Sequence, residues 1–195
     1  MLSASRATIR PVNVSLSPWS TADSAALVAA VRESPELALQ LGDVLETAGA
    51  ARSYIEHYLG DDDDQTVTFA IRVDGVAVGH AALSHVDRRH DSAWASYWVT
   101  ASLRGRGLAT RALATVAAHG FDTLGLFRLE LGHRVNNPAS CRVAAAAGFS
   151  AEGIERSKLR YGSDRFDVET HARLATDPRP RVHLLPVLGS APIAH

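Results

Sequence analysis

The stretch Trp98-Val99-Thr100-Ala101-Ser102-Leu103-Arg104-Gly105-Arg106-Gly107-Leu108-Ala109-Thr110 decides how the chain is read. It passes from a strand pattern through a glycine-containing loop into a helix. Helical periodicity through Leu108, Ala112, Leu113 and Val116 predicts a helix over 107–123, and a strand over 127–132 follows. A strand, helix, strand unit of this length has room for a parallel crossover. Glycines let backbone N–H groups approach an anion, and a first helical turn leaves N–H donors unpaired under a positive dipole end. A pyrophosphate fits that chemistry. Arg104 and Arg106 could add charge-assisted contacts to phosphates and Thr110 a hydroxyl. The plainer alternative is a glycine turn that merely caps a helix. The Gly-Lys-Ser/Thr ending of an ATP-binding loop and the full dinucleotide spacing are both missing.

Outward from this unit, residues 66–73 and 76–85 read as strands joined by the hairpin signal Asp74-Gly75, with a third strand at 92–100. On the N-terminal side, 7–14 reads as a short strand, Ser20 or Thr21 as a helix cap, and 50–59 as a second helix. The tract Gly60-Asp61-Asp62-Asp63-Asp64 ends that helix; four adjacent carboxylates read as a solvated loop, with attraction of an amine as the alternative. On the C-terminal side, a short helix over 138–147 stops at Gly148, and 149–158 pairs with 165–174 as a final hairpin. The expected class is α+β, with a mixed, mostly antiparallel central sheet flanked by helices. Residues 1–175 form one domain in this reading, and 176–195, with Pro178, Pro180, Pro186 and Pro192, form a mobile tail.

Composition narrows the function. The chain has 195 residues, 46% of them hydrophobic, with 20 basic against 21 acidic side chains. That balance gives no general attraction to nucleic acid or to an anionic membrane. The N-terminus lacks a signal-peptide apolar region and no run is long enough to span a bilayer, so a cytoplasmic protein is expected. The lone Cys141 makes no intramolecular disulfide, and a covalent acetyl-cysteine is not assigned to it. Nine histidines occur without a His-Glu-x-x-His motif or tight ligand cluster, so no metal is expected.

Further motifs follow the loop. Arg104-x-x-Gly107-x-Ala109 is succeeded by Asn137-Pro138-Ala139-Ser140 and then by Ala147-Gly148-Phe149. This order resembles the GCN5-related N-acetyltransferase (GNAT) family, in the branch that holds the ribosomal-protein N-terminal acetyltransferases. Tyr97-Trp98, Phe127-Arg128-Leu129-Glu130, Glu152-Gly153 and Arg165-Phe166-Asp167 also resemble that branch. The resemblance covers residues 66–174 well and the N-terminal helices weakly. It implies the GNAT acyl-CoA N-acyltransferase fold, with acetyl-CoA as cosubstrate and direct transfer to an amine. It also leaves a homodimer open, as in many relatives, although no local feature demands one.

Carried onto this chain, the resemblance implies that the strands near Val99 and Phe127 splay to admit the pantetheine arm. A backbone N–H near Trp98 or Val99 would then face the thioester oxygen. The loop residues Arg104, Gly105, Arg106, Gly107, Leu108, Ala109 and Thr110 would hold the phosphates. Asn137 would meet the pantetheine arm, and Ser140 would protonate the departing thiolate. Capping by Asn136 or Asn137, with Ser140 in solvent, is the alternative. Two positions depart from the pattern: Ala144 stands where many relatives carry a tyrosine acid, and Trp94 where ribosomal-type relatives carry a glutamate base. Glu130, acting through water, is the named replacement base, with His80 and His85 behind it. An α-amine, with pKa about 8, needs a base less than a lysine near 10.4. The expected acceptor is therefore a protein N-terminus; a small amine (antibiotic, polyamine or amino-acid derivative) and a non-catalytic acyl-CoA sensor are the competing readings.

Overall fold

A computed structural model describes residues 12–41, 45–60 and 65–189. Strands β1 (Val14–Ser17), β2 (Val67–Val73), β3 (Val76–Asp87), β4 (Ser92–Val99), β5 (Arg128–Arg134), β6 (Ser150–Tyr161) and β7 (Asp164–Leu174) make one sheet in the order β1-β2-β3-β4-β5-β7-β6. Every neighbouring pair is antiparallel except β4 and β5, the strands joined by the expected crossover. The helices are α1 (Ser24–Glu33), α2 (Pro35–Leu41), α3 (Ala48–Tyr54), α4 (Leu108–Asp122) and α5 (Pro138–Ala146). None of the described helices is long and apolar enough to cross a membrane.

Two apolar layers form because strand residues alternate between faces. Phe69 and Ile71 of β2 point to the face where Leu113 and Val116 of α4 pack; Ala70 points to the opposite face, under Leu27 and Val31 of α1. The Asp74-Gly75 turn has φ of +49° and +86°, the pair of positive values that a tight two-residue hairpin requires. Before α1, the Asp23 carboxylate accepts the Ser20 N–H at 3.0 Å. Both Asp23 oxygens lie 2.8 Å from the Arg72 guanidinium, which ties this helical layer to the sheet.

The sequence reading passed over α2. Seven residues are too short for convincing periodicity, and Pro35 reads as a breaker although it suits a first helical turn, where its missing N–H costs nothing. Helix α3 continues into a widened turn at Ile55–Leu59. The tract Asp61–Asp64 lies outside the described residues, as do 1–11 at the start of the expected first strand.

The described part of the C-terminal segment, read from sequence as a mobile tail, packs against the sheet. Leu185 is buried, and its N–H donates to Thr115 Oγ1 at 2.8 Å. The Leu16 N–H donates to the Pro186 carbonyl and the Leu188 N–H to the Leu16 carbonyl, so the segment runs along the β1 edge. Prolines prevent a regular ladder, but Val182, Leu185 and Val187 still supply apolar groups that fill the core.

Candidate active site

The sheet opens where its two central strands part. Strands β4 and β5 pair only at Ser92↔Arg128, Ala93↔Leu129 and Trp94↔Glu130. Beyond Trp94, β4 stays with β3 as far as Val99, while β5 stays with β7 as far as Arg134. Between them lies a cleft of about 720 Å³. Thr100 N–H donates to Val78 O at 2.9 Å, which sets the antiparallel alternation along β4. That alternation spends the Trp98 N–H on β3 and turns the Val99 N–H toward the gap. Of the two expected backbone donors, only Val99 has the right direction.

The loop before α4 also lines the cleft, through Gly105, Gly107, Leu108, Ala109 and Thr110. Gly107 is the N-cap with φ of +74°, and its carbonyl accepts the Arg111 N–H at 3.0 Å. The N–H groups of Leu108, Ala109 and Thr110 therefore precede the helical ladder and have no intrahelical acceptor. A Cβ at Gly107 would meet nothing within 4 Å, so glycine is required here by backbone conformation and not by space.

The arginines depart from expectation. Arg104 Nη1 is 2.6 Å from Glu36 Oε1, Nη2 donates to Ser34 Oγ and Nε to the Val99 carbonyl. Its own N–H donates to Ala101 O. Arg104 thus clamps the loop to the α1–α2 layer, and its guanidinium faces a carboxylate and neutral oxygens. Arg106 is exposed and outside the cleft lining. The cradle is made by backbone groups.

At α5, Asn137 Oδ1 accepts the Ser140 N–H at 3.2 Å, which is the capping role. Ser140 nevertheless does not face free solvent: its Oγ lies 2.6 Å from the Tyr97 phenolic oxygen, and both residues line the cleft. Burial pushes the Tyr97 phenol above its ordinary pKa, so it keeps its proton. Ala144 is fully buried and supplies no acid. Sequence reasoning missed Tyr97, although strand alternation with Ala95 and Val99 places it on the α4–α5 face.

None of the three replacement bases lines the cleft. Glu130 is 2.7 Å from the Arg128 guanidinium. His80 is buried, accepts the Trp19 indole N–H at 3.1 Å, and is pushed by burial down to a pKa of about 4. His85 is exposed at an irregular turn of β3 with φ of +53°. Trp94 does line the cleft, its ring fitted against Gly132, where an added Cβ would lie 3.2 Å from Cζ2. Among the described lining residues, Glu36 is the one carboxylate, and a hydrogen bond from its own backbone, followed by that from Arg104, holds it below the usual carboxylate range.

One expectation about clustering also fails. His133, Cys141, Glu169 and His171 bring their ligand-type atoms within 4.8 Å of one another. The sequence hides this because strand register and helix packing, not spacing, unite them: His133 pairs with Glu169, Leu131 pairs with His171, and α5 carries Cys141.

A splayed sheet with a helix N-terminus at the gap and a hydroxyl pair beside it gives the cleft an anion-attracting end next to a proton donor. Residues 13–150 match the family model described as an acetyltransferase (GNAT) domain. The chain belongs to the GNAT family. It is 27% identical over 106 residues to a ribosomal-protein-serine acetyltransferase of Escherichia coli K12, covering 54% of this chain and 59% of that one. It is 30% identical over 91 residues to a spermidine N(1)-acetyltransferase of the same organism, covering 47% and 49%. The solved Mycobacterium smegmatis RimJ, in complex with CoA-disulfide, superposes with a TM-score of 0.70 at 28% identity, covering 85% of this chain and 86% of that one. The GNAT fold and the ribosomal-type likeness read from the motifs are thereby established, while the relatives span both protein and polyamine acceptors.

Proposed function

We propose that this GNAT protein transfers the acetyl group of acetyl-CoA to the α-amine of a peptide or protein N-terminus by direct attack. The observation that carries the reading is the Tyr97–Ser140 hydroxyl pair on the wall of the splayed cleft. In this scheme the Leu108, Ala109 and Thr110 amides receive the pyrophosphate and Asn137 the pantetheine arm. The neutral amine attacks the thioester carbonyl, a C–N bond forms, and the negative charge on oxygen falls to the Val99 N–H. The C–S bond then breaks. Ser140 gives its proton to the thiolate and takes one from Tyr97, which is reprotonated from solvent; the amine's extra proton leaves to water.

The acceptor class follows from charge. A polyamine is a repeated cation and calls for several free carboxylates, whereas the described lining offers Glu36, already paired, beside Arg104, Arg134 and Arg142. A peptide N-terminus brings one ionisable amine, with pKa about 8, whose neutral fraction is substantial without a dedicated base. A small-molecule amine is the second reading, favoured by the likeness to the spermidine enzyme. The test is acceptor-dependent release of free thiol from acetyl-CoA across a panel of peptides and small amines. Release with N-terminal peptides supports the proposal, and release with spermidine alone moves the acceptor to polyamines. Tight cofactor binding with no acceptor-dependent release makes the protein an acyl-CoA sensor.

A further inference from the structure

Behind Ser140, on the side of α5 that faces the sheet, the next residue of the helix meets two strands in an arrangement that acetyl transfer does not use. His133 Nε2 and His171 Nε2 face each other at 3.0 Å. Glu169 Oε2 lies 3.3 Å from the first and 3.2 Å from the second. The Cys141 thiol lies within 4.8 Å of the ligand atoms of all three. Both imidazoles are buried, at 6% and 2% exposure.

We propose that His133, His171, Glu169 and Cys141 form a binding site for a divalent transition-metal ion, zinc by ligand type, that clips α5 to β5 and β7. Geometry is the first support. A tetrahedron with Zn–N and Zn–O distances of about 2.1 Å has edges of about 3.4 Å between ligand atoms. The observed 3.0, 3.2 and 3.3 Å separations describe one face of such a figure. The thiol, no more than 4.8 Å from the farthest of the other three, supplies the fourth donor. Tautomer chemistry is the second support. His133 Nδ1 lies 3.0 Å from the Arg134 carbonyl, so it carries the proton and leaves Nε2 with a lone pair turned into the cluster. A backbone carbonyl on the far nitrogen is the usual way a ligating imidazole is oriented. His171 is engaged only through Nε2, on the cluster side, since its Nδ1 finds no partner.

Charge is the third support. Two neutral imidazoles, a carboxylate and a thiolate carry two negative charges, which a divalent cation cancels on coordination. The thiol gives up its proton to solvent as the ion binds. The donor mixture of two nitrogens, one sulfur and one oxygen suits zinc over calcium or magnesium, which take oxygen ligands. Four protein ligands make a closed site that holds structure and leaves no position for substrate. The site would thus fix the first turn of α5, where Ser140 adjoins Cys141.

The test uses the full chain stripped of metal, with Zn²⁺ or Co²⁺ as the only added probe. Competition against a chromophoric chelator should show one strong Zn²⁺ equivalent per chain, weakened at least about tenfold by Cys141→Ser and by His171→Gln, and untouched by His90→Gln at the exposed turn before β4. Co²⁺ should give a thiolate-to-metal charge-transfer band that Cys141→Ser removes. Zn²⁺ should raise the thermal midpoint of the wild type and not that of Cys141→Ser. Absence of a stoichiometric strong site overturns the proposal, as does a site whose affinity and cobalt spectrum survive Cys141→Ser. That near-isosteric change at a half-buried residue decides the matter if His171→Gln does not fold.

Discussion

The two ends of the cleft are built by different means. At the proposed cofactor end a contiguous segment, Gly105 to Thr110, supplies backbone amides, and its strict demand is a left-handed φ at both Gly105 and Gly107. On the proposed acceptor side Glu36 and Gln40 come from α2, Trp94 from β4, Arg134 from β5 and Tyr161 from β6, so separate elements each contribute side chains. Backbone recognition survives wide side-chain change around it, whereas side-chain recognition is rewritten whenever one element moves. The contrast accounts for a chain that is recognisably an acetyltransferase and yet has relatives acting on both proteins and polyamines.

The sharpest test of that contrast lies where the two ends meet. Ser140→Ala and Tyr97→Phe should each lower kcat about a hundredfold, the usual scale for loss of a general acid, with the Kd for CoA nearly unchanged by calorimetry. Equal losses in kcat and affinity would mean that the pair binds and does not protonate. Gly107→Val should weaken CoA binding about thirtyfold, because a branched side chain in the left-handed region costs about 2 kcal/mol and tilts the amide cradle. The acceptor KM should stay put, and a matching change in it would erase the division between the ends.

Away from the cleft, where Arg72 ties the helical layer to the sheet, Asp23→Asn should cost about 1.5 kcal/mol of unfolding free energy, the scale of a hydrogen bond to a charged group. Burial opposes ionisation of Asp23, but hydrogen bonds from Arg72 and from Ser20 outweigh it and hold the carboxyl below the usual range. A depressed folded-state pKa means that this stability is complete above the unfolded value of about 4 and is lost as pH falls through the folded one. Thermal midpoints should therefore drop more steeply below about pH 4 in the wild type than in Asp23→Asn. Gly132→Ala places a Cβ 2.8 Å from Val168 Cγ1 and 3.2 Å from the Trp94 ring. It should raise the acceptor KM several-fold while the Kd for CoA holds. Smallest of all, Glu36→Gln releases the half-exposed Arg104 pair and should change the Kd for CoA about twofold or less, as for exposed ion pairs.

Much of the fold was legible because its signals are local. The Asp74-Gly75 hairpin, the α4 periodicity and the crossover to β5 each depend on neighbours in sequence, and each stands as read. The glycine turn that opens α4 was legible for the same reason. What escaped depends on packing between distant segments. Arg104 lines the cleft, but its pairing with Glu36 from another layer has no signal in the neighbouring sequence. Glu130, His80 and His85 look like bases until the sheet places them away from the cleft. The contact of Leu185 with Thr115 joins positions 70 residues apart, which no local pattern in 177–189 announces. Tyr97 falls between these cases: alternation gives its face, but only the packing of α5 gives its partner Ser140.

The central claim is acetylation of an α-amine from acetyl-CoA. Its most direct test is a competition in which the full chain and acetyl-CoA meet equimolar spermidine and a peptide bearing both a free N-terminus and a lysine, with the acetylated nitrogen located by mass spectrometry. Acetyl is expected on the peptide α-nitrogen, with the lysine and spermidine left largely unmodified. Acetyl found on spermidine, with the peptide N-terminus untouched, would contradict it.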